Sequence, residues 1–585
     1  MDRSTPRHPV RHPRRPGRRT LLTIGAASAA TLGTGAVLGG GAAGAGQASA
    51  HTAPSPGAMA RSRAARARAQ APVTRDEPVD PSPEGTTLAS VATPQGAPGG
   101  YRRLADGPGW KRLVRTDLAG ARPGRAEKRT TLTAFVQFTD LHIVDVQHPL
   151  RYEFLRAETT SAWRPQEALS VAATVSLIER VNSLRAGPAT GEPLSLAVTT
   201  GDNTDNNCRA ELGWFLTAMT GGRITPNTGD VDTYEGVHNS GLPLYWQPDD
   251  ALRDDDKKLG FPRIDGYLKA AIREVNSPGL ALPWYSTSGN HDALPGGCYA
   301  GDGFFADFAV GGRKLMELDS EAEAARLWKG VEDGADPKGE QLKEVLRSRM
   351  RSRAMRHVTA DVERAPFTRR DWVRAHLRRR YAGAGPVGHG YTEANLAEDR
   401  LYYTFRIAEG VTGISLDTTR HDGGYPGSVS EAQLAWLERR LREERDKGSY
   451  VLIFSHHTST TIPDGGDRLL SLLQRNRHVV AWVNGHSHKN RIRPRRTFWE
   501  ISTASHIDFP QLARTLELAD NGDGTLSVFT TLIESAAPAR TDHHDLSQTG
   551  LAALYRELAL NAPGARSELG GTPEDRNTEL LLPKP

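Results

Sequence analysis

Cysteine is nearly absent: 585 residues carry two, Cys208 and Cys298. A disulfide framework of the kind that staples small secreted domains is therefore excluded, and at most one bridge can form. Long apolar runs are missing as well. Mean hydropathy is -0.51, with 37% hydrophobic and 24% charged residues, which is ordinary for a globular chain and argues against membrane spans in its mature part. A basic excess is absent outside one short segment. The net charge is +5, but residues 1–50 hold seven Arg and one Asp, which accounts for all of it. The remainder is near neutral, so charge gives no argument for a nucleic-acid partner. The length leaves room for two to four domains, or for one large domain with insertions.

The basic segment has an internal order. Arg18-Arg19-Thr20-Leu21-Leu22 precedes a weakly apolar Ala/Gly-rich run to about Gly46, and Ala48-Ser49-Ala50 offers small residues for cleavage. That order predicts an export signal over residues 1–50. It resembles the twin-arginine type, which implies the twin-arginine export machinery as a partner and a secreted or extracytoplasmic location. A disordered Arg-rich tail and an uncleaved anchor are the other readings. Residues 51–100 are rich in Ala, Pro, Arg and Ser and poor in large apolar residues, which predicts a flexible linker, with order from about Tyr101.

From there the pattern alternates. TAFVQFT over Thr133–Thr139 predicts a strand, residues 165–184 a helix with apolar residues at helical spacing, and Ser195–Thr200 a second strand. Further strands are predicted at Leu282–Ser288, Tyr402–Ile407, Gly413–Asp417, Tyr450–Phe454, Val479–Val483 and Phe498–Ser505. Amphipathic helices are predicted at Glu431–Asp446 and Leu469–Asn476, and a hairpin joins Arg514–Leu518 to Thr525–Thr530. The grammar predicts an α/β fold with its site in a crevice at strand ends. Residues 207–280 and 312–382 read as insertions, both placed soon after candidate ligands and so candidates for a cap. The tail over 536–585 predicts one helix near Leu551–Leu560 and otherwise loose order.

Five short motifs sit at the ends of those strands: Asp140-Leu-His142, Gly201-Asp202, Gly289-Asn290-His291, Ser455-His456-His457 and Gly485-His486-Ser-His488. Alone, each His or Asp is a common turn residue. Together they offer mixed N/O ligands for two metal ions, with Asp202 as the natural bridging anion between two mutually repelling charges. The order and residue types resemble the calcineurin-like metallophosphoesterases, whose pattern is DxH, GD, GNH, H and GHxH. The resemblance covers roughly residues 130–535 and implies a four-layer α/β/β/α sandwich, carrying here two large insertions, over a domain of residues 101–535.

Position by position, the resemblance implies Asp140, His142 and His488 on one ion and Asn290, His456 and His486 on the other, with Asp202 shared. His457 is the competing ligand at the fourth motif, where Thr458 follows in place of the family's usual Pro. His291 resembles the group that stabilises the phosphoryl charge and protonates the leaving oxygen, with Asp205 as its acidic partner or as a plain turn residue. The implied reaction is phosphoester hydrolysis by metal-activated hydroxide on a small-molecule ester, with manganese, iron or zinc as the metal. Asn206-Asn207 after Asp205 departs from the Arg-Gly of protein serine/threonine phosphatases, and Asp205 stands where purple acid phosphatases carry a ligating Tyr. Phosphodiesterases are favoured among the remaining types, with phosphomonoesterases, nucleotidases and a non-catalytic binding protein on the same fold as alternatives. Cys208 and Cys298 follow two ligand motifs closely, so they read either as one disulfide or as two buried thiols.

Overall fold

The computed structural model describes residues 78–585 apart from 564 and 566, so the expected leader at 1–50 and most of the linker lie outside the described residues. Among the described residues, no helix is long and apolar enough to cross a membrane. Thirteen strands form two main sheets. In chain order they are β1 (Leu113–Arg115), β2 (Thr130–Phe138), β3 (Leu194–Thr200), β4 (Trp284–Thr287), β5 (Tyr403–Ala408), β6 (Val411–Ser415), β7 (Tyr450–Phe454), β8 (Val479–Asn484), β9 (Arg491–Pro494), β10 (Trp499–Ser502), β11 (Ala513–Asp520), β12 (Thr525–Ile533) and β13 (Thr578–Pro583).

The seven-stranded sheet runs β1-β13-β12-β11-β2-β3-β4, with β2, β3 and β4 mutually parallel and the β11–β12 hairpin added antiparallel to β2. The six-stranded sheet runs β5-β6-β7-β8-β10-β9, with β6, β7, β8 and β10 parallel. Parallel strands need long crossovers, and helices Ser170–Ser183, Glu431–Asp446 and Gly466–Arg475 supply three of them. Such strands are buried on both faces, which is why VLIF in β7 is a continuous hydrophobic run and AFVQF in β2 is broken only by the buried Gln137.

The two sheets face each other. Phe135 of β2 meets Phe454 of β7 edge to face at 5.8 Å, and Tyr285 of β4 stacks on Phe405 of β5 at 4.1 Å. Buried polar ties reinforce the join: Gln137 Nε2 donates to the Asn484 carbonyl at 3.0 Å, and Thr287 and Ser415 pair hydroxyls at 2.8 Å. Helices Glu431–Asp446 and Gly466–Arg475 bury Leu437, Leu441, Leu469 and Leu473 in one cluster with Val451, Ile453 and Trp482 of the six-stranded sheet. Helix Ser170–Ser183 packs with helices Arg209–Thr220 and Gln548–Asn561 in the cluster that holds β2 and β3. The result is a mixed α/β fold.

Three expectations need correction. Order begins before Tyr101: Ser90–Pro94 pairs with Leu104–Pro108, and Thr87 is buried against Leu532. The tail is ordered beyond its expected helix, which forms over Gln548–Asn561: β13 fills the position between β12 and β1. Much of 207–280 belongs to the main core, through Phe215, Trp246 and Tyr267. By contrast, 312–382 contributes helices Glu321–Glu332 and Glu340–Arg349 to a satellite core with Tyr152, Phe154, Cys298 and Phe305. Both cysteines are free, buried thiols, which leaves the second of the two readings.

One buried cation locks the tail in place. Arg514, wholly enclosed in β11, gives all five of its donors to uncharged acceptors: Thr503 Oγ1, Thr530 Oγ1, Asn490 Oδ1 and the carbonyls of Asp575 and Arg576. Arg514→Met is expected to lower unfolding stability by about 3 kcal/mol or more, because it strands several buried acceptors at once. Urea unfolding measures it, and an unchanged midpoint would show that those acceptors find other donors.

Candidate metal centre

All five motifs begin within three residues of a strand end. Asp140 follows β2, Asp202 β3, Asn290 β4, His456 β7 and His486 β8, so both sheets aim their C-terminal ends at one place. The loops then knit together through the backbone. Asp140 N donates to the Gly201 carbonyl at 3.0 Å, His142 N to the Asp202 carbonyl at 2.9 Å and Gly485 N to the His456 carbonyl at 3.0 Å. The chain must turn sharply at each of these points. Asp140, His142, Asp202, His486 and His488 all have positive φ, between 44° and 63°. Non-glycine residues rarely adopt that conformation, and its clustering in one loop set marks a functional site.

The glycines of the motifs have a steric reason. A Cβ on Gly289 would run into the Asp202 carboxylate, and one on Gly485 would overlap Thr139 Oγ1 and the Asp140 carboxylate. The motif glycines are therefore the floor on which the carboxylates lie.

The side-chain atoms form two groups that meet at Asp202. In the first, His488 Nε2 lies 3.3 Å from Asp140 Oδ1 and 3.3 Å from His142 Nε2. In the second, His456 Nε2 lies 3.1 Å from Asn290 Oδ1 and 3.2 Å from His486 Nδ1. Asp202 Oδ2 is 3.1 Å from His456 Nε2 and 3.7 Å from His142 Nε2, so it stands between them. The structure thus brings together all seven residues that the sequence offered as ligands.

The outward ring atoms fix the tautomers. His456 Nδ1 donates to the Thr200 carbonyl at 2.9 Å, His488 Nδ1 to Asp508 at 2.6 Å and His142 Nδ1 to Asp205 at 2.8 Å. Each ring then turns its Nε2 inward, toward carboxylate oxygens, an amide oxygen and other ring nitrogens. Facing acceptors of this kind need a proton or a metal ion between them, and the His/Asp donor set suits divalent metal ions. The same electrostatic demand appears as proton affinity. Burial works against charged imidazole, yet Asp202 lifts His456 to about 9 and Asp140 lifts His488 to about 10.

His457, the competing ligand, has both ring atoms engaged: Nδ1 meets Thr418 Oγ1 at 2.9 Å and Nε2 the Tyr425 carbonyl at 3.0 Å. His291 sits beside the first group. Its backbone N–H donates to Asp202 Oδ1 at 2.9 Å and its Nδ1 donates to the Asp205 carbonyl at 2.7 Å. Asp205 departs from the sequence reading here. Its backbone serves His291, while its carboxylate lies 3.8 Å from that ring and turns to His142 and Arg151. Burial opposes its ionisation, but Arg151 and His142 hold it well below the usual carboxylate range.

Sequence reasoning missed Asp508, Arg151, Arg164 and Asp292. Asp292 accepts from the backbone N–H groups of Asn203, Thr204 and Gly289, at 3.1, 2.8 and 2.9 Å, so it staples the second motif to the third. Only its place directly after His291 hinted at this. His506 packs its ring 5.9 Å from Tyr555, and it is Asp508 two residues on that reaches the centre. Arg151 and Arg164 carry no local signal. A narrow recess beside His291 is bordered by Arg151, Tyr152, Ser161, Asn206 and Gly296. A larger cavity, about 510 Å³, lies elsewhere, between helix Arg209–Thr220 and residues 361–381.

No family model and no curated protein matches the sequence. Solved structures give remote likenesses. A dimetal phosphatase from Danio rerio is 13% identical, with a TM-score of 0.36 over 69% of this chain and 100% of its own. A putative 5'-nucleotidase from Staphylococcus aureus, in complex with alpha-ketoglutarate, is 11% identical, with a TM-score of 0.27 over 73% of this chain and 58% of its own. GAP50, the anchor in the inner membrane complex of Plasmodium, is 9% identical, with a TM-score of 0.23 over 72% of this chain and 95% of its own. Likenesses this remote assign nothing; what the centre can do follows from its own atoms.

Proposed function

We propose that the protein is an exported, metal-dependent phosphoester hydrolase of the calcineurin-like kind, with the two facing sheets as the inner layers of an α/β/β/α sandwich. The observation that carries this reading is the convergence of the Asp140, His142, Asn290, His456, His486 and His488 side chains on Asp202. In this reading Asp140, His142 and His488 hold one ion, Asn290, His456 and His486 the other, and Asp202 both. The ions, manganese, iron or zinc, supply when bound Lewis-acid charge and a nucleophile at neutral pH.

The chain's own residues do the rest. His291 is held by its Nδ1–H on the Asp205 carbonyl, so its Nε2 is the atom left to act. In its doubly protonated form it gives the Nε2 proton to the departing oxygen of the ester. Export through the twin-arginine machinery is the remaining part of the proposal and rests on the leader sequence. The non-catalytic alternative is disfavoured because no ligand position is lost.

Phosphodiesters are the proposed substrates, since the motif set departs from both phosphatase types named above. The metal-loaded protein is expected to cleave bis-nitrophenyl phosphate faster than nitrophenyl phosphate, with manganese, iron and zinc each tried. Preference for the monoester would overturn the diesterase choice, and no hydrolysis of either with any metal would overturn the hydrolase reading.

A further inference from the structure

The two ligand groups are held very differently from behind. Arg164 Nε and Nη2 grip both oxygens of Asp508, at 2.6 and 3.1 Å, and Asp508 Oδ2 takes the Nδ1 proton of His488 at 2.6 Å. Arg151 Nη1 pairs with Asp205 Oδ2, and Asp205 Oδ1 takes the Nδ1 proton of His142 at 2.8 Å. Glu167 joins the two relays, accepting from Arg151 Nη2 at 2.7 Å and from the Arg164 backbone N–H at 3.1 Å. The arginine side chains are 3% and 4% exposed, so these are fixed buried contacts, not surface ion pairs.

Among the described residues, nothing comparable stands behind the other group. His456 Nδ1 rests on the uncharged Thr200 carbonyl, and Asn290, tied by Nδ2 to the Gly297 carbonyl at 3.0 Å, offers a neutral amide oxygen. One position therefore would have the carboxylate of Asp140 as a ligand and two further anions one imidazole away, Asp205 buried and Asp508 half-buried. The other has no carboxylate of its own beyond the shared Asp202.

Resting on the two-ion reading above, we infer that Asp205 and Asp508, clamped by Arg151 and Arg164, are positioning residues that make the Asp140–His142–His488 position the tighter of the two. A carboxylate on Nδ1–H fixes the tautomer, aims Nε2 and makes the ring a stronger donor to a cation. Loss of such a support lowers metal affinity by roughly 10- to 100-fold. The arginines keep both carboxylates ionised and stop them rotating away.

The full chain, stripped with a chelator and titrated with Mn²⁺ by calorimetry and equilibrium dialysis, tests this. Two steps are expected, the tighter at least about tenfold stronger. Asp508→Asn should weaken the tight step by about 10- to 100-fold and spare the weak one, and Asn290→Ala should do the reverse. Arg164→Lys, which keeps the charge, should lose less than Arg164→Gln, while thermal melting of the metal-free variants checks that they fold. Two equal steps, or a tight step untouched by Asp508→Asn, would overturn this inference alone. An unsubstituted chain that binds no Mn²⁺ would overturn the two-ion reading with it.

Discussion

Asp202→Asn is expected to abolish binding of both ions and to reduce hydrolysis by on the order of 10²- to 10³-fold or more. The carboxylate stands between the two groups, 3.1 Å from His456 Nε2 and 3.7 Å from His142 Nε2, and its other oxygen accepts the His291 backbone N–H at 2.9 Å. Burial opposes its charge, yet His456 and His291 hold it well below the usual carboxylate range, so it is an anion in the folded chain. Asparagine keeps the shape and the hydrogen bond from His291 but removes the one negative charge that both positions share. Two like charges a few ångströms apart then have nothing between them. Metal content by elemental analysis and ester hydrolysis on the same preparation decide the matter. A variant that keeps two ions and full activity would end the bridging role.

His291→Ala is expected to cut turnover by about 10²- to 10⁴-fold while leaving metal content intact. The ring is no part of either lone-pair group: Nδ1 is spent on the Asp205 carbonyl, and the ring meets His142 edge to face at 4.7 Å. Its backbone N–H still reaches Asp202 in the alanine variant, so the bridging carboxylate keeps its support. The loss should be greater for esters of poor leaving groups, which need a proton, than for nitrophenyl esters, which scarcely do. An equal loss on both, or a parallel loss of metal, would argue that the ring is structural. The Asp205 contact sharpens the test. Because the carbonyl and not the carboxylate holds His291, Asp205→Asn should disturb His142 first, and metal binding more than proton delivery.

The seven candidate ligand positions were legible because most of them follow a short apolar run, and a parallel strand buried on both faces writes itself as such a run. Phe135 to Phe138, Val451 to Phe454 and Val479 to Val483 carry that signature, and glycine before Asp202, Asn290 and His486 marks where a loop must pass close to a carboxylate or imidazole. Helix Glu431–Asp446 was equally plain from its apolar stripe, and the structure caps it with Ser430. The tail was not. TELLLP is an apolar run too, but nothing local says that it lies between β12 and β1, since a strand's partners are chosen by the sheet edges on offer.

By itself, then, the sequence determined which residues end each strand and that their side chains suit two cations. Tertiary structure decided what each of those side chains leans on. Arg151 and Asp205 are 54 positions apart, Arg164 and Asp508 are 344, and Asp205, which the family resemblance offered as a partner for His291 or as a turn residue, gives its carboxylate to His142. The physical reason is the range of the interactions. Strand burial and loop turning act on neighbours in the chain and leave a periodic trace, whereas a buried charge is satisfied by whichever opposite charge the packed core brings within about 3 Å, and that pairing leaves no local pattern to read.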